Sequence, residues 1–423
     1  MSKPLAVVSC PLDTYSGYGA RARDFVKALI ATDKYEVKTL SQRWGNTRFG
    51  YLDDHKEAQL MSTIIPQLSK QPDLWIQCTV PNEFQKAGKF NIGLTAGMET
   101  TLVHQSWIEG CNRMDLVLTS SNHSKRVFQE TNFQVKDNRT NQVVQTIKLE
   151  KPVEVLREGA DLTKYFANPT SAFNLSSIKE SFCYLFVGHW MQGDLGHDRK
   201  NVGYTIKSFL ETFKNKKNAP ALILKTQQVG SSILDKDRIL RRIDDIRKTV
   251  RGVLPNIYLV SGDLTDEQMN ELYNNPKVKA MVSFTKGEGF GRPLLEFSLT
   301  GKPIIASGWS GQVDFLDNQR ALLIGGSLEP VHKSAAVKDM ILEQAQWFKP
   351  EDVQVAKAWT VMYKKYKDFQ IPAKQLKNKN KKEFSFEKMV EEFIEYDKKY
   401  VPEFAVQLDL NIPKLDLPKL QKL

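Results

Sequence analysis

Cysteine is scarce in this chain: four among 423 residues, Cys10, Cys78, Cys111 and Cys183, scattered and with no CxxC pair. That spacing excludes a disulfide-stapled scaffold and a thiolate zinc site, and it fits buried free thiols. Long apolar runs are missing too. No stretch of about 18 apolar residues offers a membrane span. The opening MSKPLAVVSCPLD meets Pro11 and Asp13 before it reaches the length of a signal-peptide core. The expectation is a cytoplasmic protein without a transmembrane segment. No short-period repeat is visible, which excludes a solenoid. Acidic residues fall short of basic ones, 49 against 60, leaving a formal net charge of +11. Such an excess attracts nucleic acid, anionic lipid and nucleotides alike, and does not choose among them.

What is present is an alternation of short apolar runs with helical stretches. In the front half the strand-like runs are 5–10, 35–41, 73–78, 90–96, 114–121 and 152–158; in the back half they are 183–188, 221–226, 257–262, 279–285, 303–307 and 321–326. A helix at about 20–31 places Phe25, Val26, Leu29 and Ile30 on one face. At 423 residues the chain exceeds what one core serves. The pattern predicts an α/β protein of two doubly wound, Rossmann-like domains facing a cleft. The polar, Pro-containing stretch at 168–177 suggests the joint, giving domains at 1–175 and 176–383, followed by a segment at 384–423. Helical spacing marks 384–400. The lysine-rich 374–382 reads as a solvated loop, and 411–423, alternating Pro and Leu, as an extended or mobile arm.

Chemistry concentrates at 286–315, KGEGFGRPLLEFSLTGKPIIASGWSGQVDF. Glu288 and Glu296 flank a Gly-rich turn that opens a helix, with Pro293 suited to the first helical position and Gly301 to the residue past its end. The amides of Gly289, Phe290 and Gly291, with those of the helix start, favour a phosphate. The two carboxylates would accept hydrogen bonds from sugar or ribose hydroxyls on either side. Strand, glycine loop, helix and strand together form the unit that gathers ligands at the carboxyl ends of a parallel sheet.

This segment resembles the signature of glycosyltransferase family 4, two glutamates separated by seven residues. Gly287, Glu288, Gly289, Phe290, Gly291, Pro293, Glu296, Gly301, Pro303, Ala306 and Ser307 fall in the family's order. The resemblance implies the GT-B architecture, with a C-terminal helix crossing back to the first domain. It implies that Glu288 contacts the donor sugar and Glu296 the ribose of the nucleotide. It further implies that the loop with Gly17 and Gly19 lies against donor phosphate and acceptor, and that transfer retains anomeric configuration without a metal. In related enzymes a lysine after the first strand of the second domain neutralises the departing diphosphate, a place Lys200 matches. Where the family commonly has an arginine directly after the glycine, this chain has His189, and Arg199 is the candidate substitute. Many members carry a histidine after the strand matching 90–96. Here that place falls to Glu99, with His104 five residues on, and a subset of the family shares the Glu99, Thr100, Trp107 pattern. Glu99 and then His104 are the residues expected to face the acceptor.

Other readings compete for some of these residues. Gly17, Gly19 and Ala22 also satisfy a dinucleotide fingerprint, but the loop from Pro11 is too long for its tight turn and no acidic residue ends the second strand. His189, Asp194, His197 and Asp198 share one loop but lack metal-site spacing. Arg43, Trp44, Arg48, Phe49 and Tyr51 interleave cations with rings, suited to phosphates and bases at the acceptor side, or equally to a packed loop. The expected donor is a nucleoside diphosphate sugar, foremost a UDP-sugar, with no other cofactor. The acceptor is a hydroxyl, either on a hydroxymethylated DNA base or on a polysaccharide or lipid-linked glycan. A nucleotide-sugar epimerase and a non-catalytic sugar or DNA binder are the further alternatives, and the oligomeric state is open.

Overall fold

The computed structural model describes residues 3–137, 139–228 and 233–404. Two six-stranded parallel sheets form its frame. In the first the order is Glu36–Ser41, Leu5–Cys10, Leu74–Cys78, Phe90–Leu94, Leu116–Thr119, Val153–Val155. In the second it is Ile257–Val260, Ala221–Lys225, Cys183–Val187, Val278–Ser283, Ile304–Ser307, Leu322–Ile324. Helices cover both faces of parallel sheets, so the central strands are buried on each side and read as continuous apolar runs. Leu5–Cys10 is buried along its whole length. The four cysteines are buried and unbridged.

Strand order fixes where a ligand can sit. In the second sheet the order reverses between Cys183–Val187 and Val278–Ser283, neighbours in space whose following loops diverge. Such a switch point leaves a crevice at the carboxyl ends of the strands. The loop with Arg199 and Lys200 follows one of these strands, and the loop with Glu288 follows the other.

The final helix, Phe386–Tyr400, starts at Ser385, whose side chain accepts from Lys388 N, and returns to the first domain. Met389 and Phe393 enter that domain's core beside Phe25 and Leu29. Tyr396 donates to Val155 O at 3.0 Å, and Lys34 pairs with Asp397 at 2.7 Å. The connecting segment behaves differently: Ala160, Tyr165, Leu175 and Ile178 pack in the core of the second domain.

One expectation is corrected. The lysine-rich stretch at 374–382 is not a loop but part of the helix Gln370–Glu383. Ala373, Leu376 and Asn380 recur at helical spacing and are buried, and Asn380 donates to Ser298 Oγ at 2.9 Å. Lysine is a good helix former, so nothing in the charged positions opposes the turn. The arm expected at 411–423 lies outside the described residues.

Two antiparallel hairpins and a helix have no counterpart in the sequence reading. The strands Asn132–Lys136 and Val143–Lys148 form one hairpin, Gly326–Pro330 and Gln346–Pro350 the other, and the helix is Asp352–Lys364. The second hairpin reaches the opposite domain: Thr101 N donates to Gln346 O and Gln346 N to Thr101 Oγ1, both at 2.9 Å.

Candidate active site

The glycine loop closes the strand Val278–Ser283 onto the helix Arg292–Ser298, with Pro293 in its first turn. Gly291 has φ 101° and Gly301 φ 73°, backbone conformations that a side chain would strain. Inside this frame Glu288 is buried, and Lys200 Nζ donates to both its oxygens at 2.6 and 2.7 Å. Arg199 Nη1 donates to Gly287 O at 2.9 Å and lies 3.4 Å from the Glu288 carboxylate. Two further bonds lock the loops together: Lys286 N donates to Arg199 O at 2.8 Å, and Glu288 N to Ser310 Oγ at 2.9 Å. Ser310 holds φ 68° and ψ −155°, a region almost reserved for glycine, so this contact is made under backbone strain. Burial alone would raise the Glu288 carboxyl, but Lys200 and then Arg199 override it and hold it below its ordinary value.

The first domain meets this cluster directly. Glu99 lies 3.4 Å from Arg199 Nη1, so Arg199 bridges one carboxylate from each domain. Contact is close because glycines make it: a Cβ on Gly287 would fall 1.8 Å from Glu99 O, and one on Gly289 2.1 Å from Ala96 O. Ser120 Oγ reaches Gly289 O at 3.0 Å and Ala96 O at 2.7 Å. Glu99, Arg199, Lys200 and Glu288 thus form one charge network across the cleft.

Glu296 sits one turn inside the helix Arg292–Ser298. It borders a cavity of about 280 Å³ between the domains, which Ser16, Gly17, Tyr51, Asp266 and Arg292 also line. Arg292 Nε donates to Glu296 at 2.8 Å, but the same guanidinium pairs with Asp24 and lies 3.6 Å from Glu158. Tyr273 OH donates to the second Glu296 oxygen at 3.3 Å. Burial pushes the Glu296 carboxyl up to about 7, against the pull of Arg292. Ser16 caps the helix Gly17–Ala31 by accepting from Gly19 N at 2.9 Å. Gly19 is wedged against Thr14 O, 2.4 Å from where a Cβ would stand, whereas Gly17 has open space before it.

The remaining candidates lie elsewhere. Phe290 turns its ring into the core, 5.1 Å from Phe315, so only its backbone can serve the loop. His104 caps the helix Gln105–Arg113 through Nδ1, and its Nε2 is 3.5 Å from Asp339. Trp44 stacks on Tyr18 at 4.0 Å. Arg48 pairs with Asp54, reaches Asp263 in the second domain at 3.4 Å, and covers the Tyr15 ring. Arg43 is exposed. Of the loop set aside as a metal site, His197 stacks on His332 at 4.1 Å and Asp198 accepts from Val202 N at 3.1 Å. No group of three His, Cys, Asp or Glu side chains among the described residues is arranged to hold a metal ion.

Sequence reasoning passes over Arg292, Asp24, Glu158 and Ser310. Arg292 stands next to Gly291 in the motif and four residues before Glu296 on one helix, and those two positions are the signals that could have found it. Asp24 and Glu158 carry no signal, because only the fold brings three separate segments to one guanidinium.

No protein-family model matches the chain, and no curated protein matches it either. Solved structures do match. The sucrose-phosphate synthase of Thermosynechococcus elongatus is 13% identical, with 94% of this chain and 98% of that one covered at a TM-score of 0.61. HepE of Anabaena, solved in complex with UDP-glucose, is 12% identical over 93% of this chain and 100% of its own at 0.60. A glycosyltransferase from Rickettsia africae is 12% identical over 95% and 99% at 0.58. No helix among the described residues is long and apolar enough to cross a membrane. At such low identity the likeness concerns architecture: the chain has the GT-B fold, two Rossmann-like domains facing a cleft with a C-terminal helix returning to the first.

Proposed function

We propose that the protein is a retaining glycosyltransferase of the family 4 type, taking a nucleoside diphosphate sugar, foremost a UDP-sugar, and transferring the sugar to a hydroxyl of a hydroxymethylated DNA base. The observation that carries this reading is the network of Glu288, Lys200, Arg199 and Glu99 at the switch point of the second sheet. Both cations are neutralised there by carboxylates that a bound diphosphate would displace. Charge stabilisation of the departing diphosphate then falls to Lys200 and Arg199, in the place a metal would otherwise take. Glu288, released from Lys200, accepts from sugar hydroxyls, and Glu296 accepts from the ribose beside the 280 Å³ cavity. Glu99 faces the reacting centre from the acceptor domain. Positioning and leaving-group stabilisation supply most of the rate. HepE, of the same fold, was solved with UDP-glucose, which supports a UDP-sugar as donor.

For the acceptor, the net charge of +11 and the exposed Arg43 beside Trp44 favour a polyanion. The test is transfer of label from UDP-glucose to duplex DNA containing hydroxymethylcytosine, with the anomer read by NMR. Label in the duplex with retained configuration is the expected result. Label in an added glycan and none in DNA would replace the acceptor, and no binding of any nucleotide sugar in a calorimetric screen would overturn the enzyme.

A further inference from the structure

More than half of the chain's positive excess sits in one place that the donor site does not use. Residues 364–382 hold eight lysines and one acidic residue, Asp368, a net +7 of the total +11. The stretch spans the end of the helix Asp352–Lys364 and most of the helix Gln370–Glu383. The second helix is pinned by Ala373, Leu376 and Asn380 against the helix Arg292–Ser298, so its lysines are presented outward on a fixed scaffold. Lys374, Lys381 and Lys382 are exposed. Of the eight, only Lys379 has a salt-bridge partner among the described residues, Asp317 at 3.2 Å. At Lys27, Lys125, Lys164 and Lys286, by contrast, a carboxylate accompanies the cation. A row of uncompensated ammonium groups is a surface whose charges await an external anion.

From this we infer that the helix Gln370–Glu383 is a docking surface for the phosphate backbone of duplex DNA, holding it without reading sequence. Two features favour phosphates over a membrane. The apolar face of the helix is already consumed in the protein, and Ile371 is the one large apolar side chain it leaves exposed, so it has nothing to insert between lipids. The cations also recur turn after turn along one helix, at Lys374, Lys377 and Lys381, the linear spread that follows a charged strand. The choice of DNA among polyanions rests on the acceptor reading above; the surface itself does not depend on catalysis. Lysines bind phosphates as point charges and release condensed counterions, so the contact is sequence-independent and strongly salt-dependent.

The experiment is fluorescence anisotropy of the full chain with an unmodified duplex of about 20 base pairs, long enough for several phosphate contacts, across a salt series. The variant carries Lys374→Gln, Lys377→Gln, Lys381→Gln and Lys382→Gln, and a control carries the same change at the exposed Lys70, Lys136, Lys216 and Lys217. The ladder variant is expected to flatten the slope of log affinity against log salt by about 3 to 4, at roughly 0.9 per lost phosphate contact, and to weaken low-salt binding on the order of tenfold or more. The control should shift both far less, and UDP-glucose binding and melting temperature should be unchanged in all three proteins. Equal affinity and slope in ladder variant and wild type would overturn the inference, as would binding to phosphatidylserine vesicles with none to duplex. If the wild type grips duplex through the ladder yet transfers no sugar to it, the inference stands and the acceptor proposal falls. Full transfer to DNA by the ladder variant, with unaltered salt dependence, would leave the acceptor proposal standing and overturn the inference.

Discussion

Glu288 lies in the glycine loop and Glu296 one turn inside the helix that follows it, each 7% exposed, and their carboxyls move in opposite directions. Burial raises both. The difference lies in how many cations each has to itself. Glu288 holds Lys200 through both oxygens and has Arg199 nearby, so it stays ionised despite desolvation. Glu296 has Arg292, but Asp24 and Glu158 draw on the same guanidinium, and Asp266 adds a repulsive field. The Glu288 site is therefore a balanced ion network. Glu296 is instead a carboxyl whose burial raises it to about 7.

The largest effect should come from the balanced site. Lys200→Ala removes the cation assigned to the departing diphosphate and leaves Glu288 with Arg199 alone. Turnover with UDP-glucose is expected to fall by about 10²–10³, the scale of losing one preorganised electrostatic contact. Unchanged turnover would dissolve the contrast, because Glu288 would then be an ordinary buried pair.

Next comes the pH response of Glu296. A carboxyl whose folded value is raised binds its proton more tightly in the native state, so its contribution to stability falls as pH rises from about 4.5 to about 7 and is flat above. The fall amounts to about 3 kcal/mol at most. Urea midpoints from pH 4.5 to 8 should therefore converge or cross between wild type and Glu296→Gln, the variant gaining relative to wild type with rising pH. Parallel curves would mean Glu296 is ionised throughout, like Glu288. Glu99→Gln tests the smaller effect across the cleft. It weakens the bridge to Arg199 while keeping the side chain's shape, and should lower turnover at least tenfold, about 1.4 kcal/mol. A normal rate would remove Glu99 from the reacting centre.

Both halves of this contrast draw on signals of very different legibility. The central strands of both sheets were readable because parallel strands buried on two faces leave unbroken apolar runs. The order of Gly287, Glu288, Gly291 and Pro293 was readable because a turn, a helix start and a close backbone approach each demand a particular residue type. The sharing of Arg292 was not, since Asp24, Glu158 and Glu296 come from three segments that only domain apposition joins. Nor was the bridge from Glu99 to Arg199. The helix Gln370–Glu383 was hidden for a different reason: its charge density masked the few buried positions, Ala373, Leu376 and Asn380, that hold it in place.

The bond pair between Thr101 and Gln346 has a mechanical consequence. The loop bearing Glu99 belongs to one lobe by chain order yet hangs from a hairpin of the other. A motion that widened the crevice would have to break both bonds or carry the loop along with the second domain. The loop is thus tied to both domains at once, through Met98 N to Ser124 Oγ on one side and Thr101 to Gln346 on the other, and is not free to follow either alone.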